Sequence, residues 1–228
     1  MKVRHQSAAT LEMRENVEYR GDSPILFDYV TANGPDGIQF DVWYGNSHIS
    51  RLINDHGREN VQCYAVPSRS SYLTVIATNE SMDRTTLDVG ARQDASSVAK
   101  HETFLGEPLG ITQRRGGVSA DDLKYAIAYP AFLKVPQDEM AEIGRWYEEE
   151  HMPFLLDCPD WLMVRRFRIA HSSGNDATHV AIHYLKSLTA LKSPQRDAAR
   201  NTPWRDAIMK DGWFAPEYRV SYPMRLPV

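Results

Sequence analysis

Apolar and polar positions divide the 228 residues into two stretches of similar grammar. Pro24-Ile-Leu-Phe-Asp-Tyr-Val30 and Lys124-Tyr-Ala-Ile-Ala-Tyr-Pro-Ala-Phe-Leu-Lys134 are rich in β-branched and aromatic residues and predict strands. Each is followed by a segment whose apolar residues recur three and four apart, which predicts a helix. These segments read QFDVWYGNSHISRLIND from Gln39 and EIGRWYEEEHMPFLLDC from Glu142. Pro153 has no backbone N–H, so the second helix is expected to end or kink near His151. Two further strands follow at about 60–67 and 71–78, and again at about 161–170 and 178–185. Turn-forming residues join each pair: Pro67-Ser-Arg-Ser70 and His171-Ser-Ser-Gly-Asn-Asp176. A second helix is marked at Ser187–Leu191, after Pro194 and from Pro203 to Met209. Its counterpart between Met82 and Glu102 is polar and poorly periodic. Closing strands are expected at about 109–114 and 215–226.

The two stretches also match residue by residue. Trp43 and Trp146 stand 103 positions apart, and that offset pairs Tyr44 with Tyr147, His48 with His151, Leu52 with Leu155 and Val61 with Val164. Trp and His are rare residues, so a gapless recurrence of W-Y-x-x-x-H points to an internal repeat. The order β-α-β-β-α-β, read twice, is the ferredoxin-like pattern. A sheet with helices on one face leaves the other face needing cover, and two linked copies supply it. The expectation is an α+β fold of two tandem ferredoxin-like βαββαβ repeats forming an intramolecular dimeric α/β-barrel. Its parts would be an N-terminal extension (1–20), a first repeat (21–115), a linker around Gly116-Gly117 (116–123) and a second repeat (124–228).

The net charge of −4 leaves no basic surplus for phosphate contacts, which argues against a nucleic-acid partner. The densest basic stretch, Arg165, Arg166 and Arg168, reads as a solvated or salt-bridged sheet edge. Cys63 and Cys158 form no CxxC motif or disulfide framework, favouring a reduced, cytoplasmic setting. The first residues carry several acids and no apolar core, unlike a signal or transit peptide. No apolar run approaches the roughly 20 residues that span a bilayer. The chain therefore reads as soluble, with no membrane partner.

The phrase Trp146-Tyr147-Glu-Glu-Glu-His151-Met-Pro153-Phe-Leu155-Leu156, followed by Cys-Pro159-Asp-Trp161, resembles the helix of dimeric α/β-barrel proteins, especially the EthD-like group. The Ser193-Pro194 and Thr202-Pro203-Trp204 segment is similar to the second helix of such domains. The resemblance covers residues 124–226 well. The first stretch keeps Trp43, Tyr44 and His48 but has Ser50 in the position of Pro153, and Asp160 stands where the family's turn usually carries Gly. The resemblance implies cavities between the sheet and its helices. Its members include muconolactone isomerases, cofactor-independent quinone-forming monooxygenases, polyketide cyclases, haem-degrading enzymes, chlorite dismutase-like proteins and stress proteins without an assigned reaction. Fold alone does not choose among these.

His151 is the leading catalytic candidate, because imidazole titrates near neutrality and suits proton abstraction beside a carbonyl or from a phenol. Tyr147, one turn back, and His183 on a strand are candidates to hold a developing oxyanion. Trp146, Trp161, His179, Trp204, His48 and Trp43 are candidate substrate-binding residues, with core packing the competing role for the tryptophans. Capping of the helix competes for His151. His179 and His183 share one strand face but stand about 13 Å apart, too far to bind one metal together. No HExxH or two-His-carboxylate spacing stands out, so no metal ligands and no cofactor are assigned. Glu148-Glu149-Glu150 reads as a solvated helix face, and Cys158 as a small buried residue.

Two functions follow. The first is a cofactor-independent enzyme, of isomerase, lyase or monooxygenase type, acting on a small apolar carbonyl or aromatic compound through a His general base. The second is a non-catalytic ligand- or haem-binding, stress-type barrel, with a His as axial ligand and no CxxCH attachment. The expected partner is a small-molecule substrate, with a homodimer of the fused chain left open.

Overall fold

The computed structural model describes residues 17–20, 23–33, 37–66, 71–78, 98–174 and 176–224. In chain order the elements begin with β1 (Val17–Arg20), β2 (Ile25–Ala32), α1 (Gly37–Trp43), a π-helical turn (Tyr44–His48) and α2 (Ile49–His56). They continue with β3 (Val61–Val66), β4 (Ser71–Ala77), β5 (Val98–Pro108), β6 (Thr112–Arg115) and α3 (Ala120–Lys124). Next come β7 (Ile127–Leu133), α4 (Met140–Trp146), a second π-helical turn (Tyr147–His151) and α5 (Met152–Leu156). The chain then forms β8 (Trp161–Ser172), β9 (His179–Leu185), a 3₁₀ turn (Leu188–Lys192), α6 (Pro194–Arg200), α7 (Pro203–Met209), β10 (Glu217–Tyr218) and β11 (Tyr222–Pro223). It is an α+β fold with one curled antiparallel sheet.

The strands run β10-β7-β9-β8-β5-β2-β4-β3-β11, and β6 pairs with both β1 and β8. The two ends of this path meet in the chain. Ser221 bridges Ala128 of β7, and the Met224 N–H then donates to Cys63 O of β3 at 2.9 Å. Residues 217–224 therefore form one closing strand, hydrogen-bonded first to β7 and then to β3. β5 does the same on the opposite side, pairing with β2 and then with β8. Closure removes exposed edges from the main ring of strands.

Strand alternation sorts the side chains into layers. Phe27, Tyr29, Phe104, Phe132, Phe167, Val180, Ile182 and Tyr184 fill the barrel interior. On the other face, Leu26, Val30 and Ile76 lie beneath α1 and α2, while Tyr129, Val164, Ala181 and Leu185 lie beneath α4 to α7. The interior also holds a buried ion pair across the barrel. Arg219 of the closing strand lies over the rings of Tyr29 (4.4 Å) and Phe132 (4.9 Å) and pairs with Glu102 of β5 at 3.3 Å.

Several expectations need correction. The closing strand of the first stretch is 98–108 rather than about 109–114; Lys100, His101, Glu102 and Thr103 gave it a polar appearance. Of the helix looked for over 82–102, residues 98–102 are strand, and 82–97 lie outside the described residues. The extension 1–20 ends in β1, which pairs with β6. The 116–123 linker carries a tight turn at Gly117 (φ +78°) and the start of α3, capped reciprocally by Ser119 and Asp122. β8 is not an edge strand. It lies between β9 and β5, with Arg166 buried against Glu148 and Arg168 paired with Glu107.

Candidate active site

Both W-Y-x-x-x-H segments adopt one backbone form. Each Trp ends an α-helix, and the five residues after it make a π-helical turn. Pro153 is not its cause, because the first segment has the same turn with Ser50 in that place. The wider turn brings residues five apart together, a spacing an ordinary helix would separate. Trp146 and His151 thus stack at 4.3 Å between ring centres, as Trp43 and His48 do at 4.8 Å.

The surroundings of the two histidines differ. Nε2 of His48 meets Oδ2 of Asp28 at 2.6 Å, and His101 Nε2 meets Oδ1 of the same carboxylate at 2.5 Å. Burial alone would raise the Asp28 pKa, but the two imidazoles hold it well below the ordinary carboxylate range. In the second segment the position of Asp28 is taken by Ala131, and among the described residues His151 has no carboxylate partner. Its Nδ1 lies 3.3 Å from the carbonyl of Ala199 on α6. A carbonyl only accepts, so Nδ1 carries the proton and Nε2 keeps a free lone pair.

His151 borders a cleft between the sheet and α4–α7 that encloses about 440 Å³, its mouth included. Its aromatic walls are Trp146, Tyr147, Trp161, Phe214 and the stacked pair Tyr129 and Tyr218, 5.1 Å apart. His183 of β9 also lines it. The Trp161 indole N–H donates to His183 Nδ1 at 3.3 Å, which leaves the proton of that neutral ring on Nε2. The two histidines therefore hold opposite tautomers, one with an accepting Nε2 and the other with a donating Nε2. Burial pushes both pKa values down to about 3, opposed for His151 by the Ala199 carbonyl, with nearby arginine charges adding to the drop. Both rings are thus neutral at ordinary pH. Tyr147 is buried, which holds its hydroxyl well above the usual phenol range and keeps it a donor.

The cleft unites Tyr147, Trp146, His151, Trp161 and His183, and leaves out four other candidates. His179 lines a separate, small apolar recess beside Arg166, and its Nδ1 lies 2.9 Å from Thr178 Oγ1. Trp204 packs on the outer side of α4, donating to Glu142 at 2.7 Å. Trp43 and His48 belong to the Asp28 cluster. Glu150 is not a solvated acid, since it accepts from Trp146 Nε1 (3.0 Å) and Thr202 Oγ1 (2.5 Å), tying the π-helical turn to α7.

Sequence reasoning missed three arginines on the cleft: Arg196, Arg200 and Arg205. Arg196 and Arg200 are four apart on α6, and Arg205 follows on α7. Ser193 and Thr202 cap these helices, accepting from Arg196 N and Arg205 N at 3.2 Å each. The legible signal was R-x-x-x-R on a capped helix facing the W-Y segment. Among the described residues no group of three or more His, Cys, Asp or Glu side chains could hold a metal ion. None of their helices is long and apolar enough to cross a membrane.

No family model matches the chain, and no curated protein does. Solved structures do match. An anthrone oxidase-like protein superposes with a TM-score of 0.63 at 11% identity, covering 92% of this chain and 94% of its own. A ferredoxin-fold protein related to antibiotic biosynthesis monooxygenases, from Listeria monocytogenes, gives 0.51 at 10%, covering 89% and 96%. A chlorite dismutase from Candidatus Nitrospira defluvii gives 0.53 at 10%, covering 89% and 91%. These matches extend over the whole barrel, not one half. They define the fold as the ferredoxin-like α/β-barrel, closed here within a single chain.

Proposed function

We propose that this chain is a cofactor-independent enzyme that removes a proton from a small planar carbonyl or aromatic compound in the cleft beneath α4–α7. The observation that carries this reading is the opposed tautomer pair. His151 offers a lone pair at Nε2, while His183 offers a hydrogen there. A substrate C–H or O–H would give its proton to His151 Nε2, and the enolate or phenolate oxygen would accept from His183 Nε2–H and the Tyr147 hydroxyl. The developing anion would in turn raise the His151 pKa from about 3 toward a useful range. The likeness to an anthrone oxidase-like protein favours oxygenation of that anion by dioxygen over isomerisation or elimination.

The reading includes the architecture. We take residues 21–115 and 124–228 as fused copies of one ferredoxin-like unit, joined through 116–123, with the second copy EthD-like and catalytic. The matched π-helical turns and the matched roles of β5 and the closing strand support this. A haem does not fit the cleft. Trp161, Phe214 and Tyr218 bound a space of about 440 Å³ with its open mouth counted, and only a small part of it is enclosed.

The test is aerobic conversion of 1,8-dihydroxyanthrone, which has an acidic ring C–H, to its quinone, followed by absorbance. The wild type should accelerate it, and His151→Gln should remove the acceleration while keeping the native circular dichroism. A His151→Gln protein as fast as the wild type would end the general-base reading.

A further inference from the structure

The proton chemistry just described does not require a charged ligand, yet the cleft is built for one. Its lining includes three arginines and no aspartate or glutamate, in a chain whose net charge is −4. Among the described residues none of the three guanidinium groups pairs with a carboxylate. Two of them are anchored on backbone carbonyls, Arg196 Nη1 donating to Leu191 O at 2.8 Å and Arg205 Nη1 to Arg200 O at 2.7 Å, and Arg196 also bonds the Tyr129 hydroxyl. Arg205 also lies over the Phe214 ring at 5.9 Å. Each anchor uses one of five N–H donors and steadies the side chain, leaving most of the guanidinium fork free for an incoming oxygen anion. Grouping three like charges at one cleft is unfavourable unless something neutralises them. The rest of the lining is largely aromatic, with Trp161, Tyr129 and Tyr218 suited to a flat ring and the two tyrosines close to the arginines.

We propose that the ligand is a planar aromatic anion, its acidic group gripped by Arg196, Arg200 and Arg205 and its ring laid among the aromatic walls. This rests on the cleft being the binding site, but not on any proton transfer within it. It narrows the substrate class from apolar carbonyl or aromatic compounds to those carrying a carboxylate or an ionised phenol. A charge gripped there also fixes how the ring lies against His151 and His183.

The experiment measures tryptophan fluorescence during titration with 1-hydroxy-2-naphthoate and with its uncharged amide, 1-hydroxy-2-naphthamide. The acid should bind at least about tenfold more tightly than the amide at low salt, and the gap should narrow as salt is added. In the Arg196→Gln/Arg200→Gln protein the acid should lose about tenfold in affinity while the amide binds as before, which also shows the cleft intact. Should that protein fail to fold, the wild-type ratio of acid to amide decides alone. Equal binding of the two probes, no binding of the acid, or equal weakening of both by the double substitution would overturn the proposal. Failure here beside a His151→Gln protein inactive on the anthrone would remove only the anion. Success here beside an active His151→Gln protein would remove only the base.

Discussion

Two histidines in the same backbone setting have different surroundings. His48 and His151 each close a π-helical turn and stack on the tryptophan five residues earlier. His48 is locked by Asp28, which also holds His101, so helix, β2 and β5 are clamped together in a buried cluster. Ala131 stands at the position matching Asp28, and His151 borders an aromatic cleft. One position beneath the turn thus separates an imidazole held by a carboxylate from one that is not.

The largest expected effect comes from breaking the clamp. Asp28→Ala leaves two imidazoles without their buried partner and should cost about 3–5 kcal/mol of stability, read as a lowered urea midpoint. Ala131→Ser, at the matching place, should cost far less. Next, His151→Ala should lower turnover by about a hundredfold or more with little change in melting, whereas His48→Ala should lower melting first. Equal effects of the two histidine substitutions on both readouts would erase the distinction between the halves.

Acid should separate the halves as well. His151 and His183 are neutral in the fold, with pKa values near 3, and titrate near 6.5 when unfolded. The unfolded chain binds more protons between those values, so stability falls as pH drops from about 6.5 toward 3. Asp28 is held below its unfolded value of about 3.9, and its contribution is complete above that point and lost only as pH falls further. Urea midpoints across pH should therefore lose much of their upper slope in His151→Gln/His183→Gln, His179 (lowered to about 4 by burial) keeping a share, and their lowest-pH slope in Asp28→Asn. The smallest effect should come from Trp161→Phe, which removes the N–H that sets the His183 tautomer and should slow turnover by about tenfold or less.

How much of this was legible depended on periodicity and on rare residues. Strands 25–32, 61–66, 71–77, 127–133 and 179–185 were readable because their apolar runs feed a barrel buried on both faces. β5 was not, because it carries Glu102 to a partner, Arg219, 117 residues away, and His101 to Asp28, 73 residues away. Local pattern holds no trace of such pairings. His151, Tyr147 and His183 could be singled out by residue type and spacing. The tautomers could not, since they depend on Ala199 O and on Trp161, 48 and 22 residues distant. Asp28 is a single polar residue in an apolar strand, and Arg196, Arg200 and Arg205 belong to helical stretches whose pattern does not say what they face. Only the packing of α6 and α7 over the sheet brings these arginines to the cleft.

The most direct test is a long-range ¹⁵N–¹H correlation spectrum of histidine-labelled protein near neutral pH, with His151→Gln and His183→Gln to assign the rings. The account predicts two neutral rings of opposite form, His151 protonated at Nδ1 and His183 at Nε2, both unchanged as the pH is lowered to about 5. A His151 ring protonated at Nε2, or one that becomes a cation near pH 6.5, would contradict it.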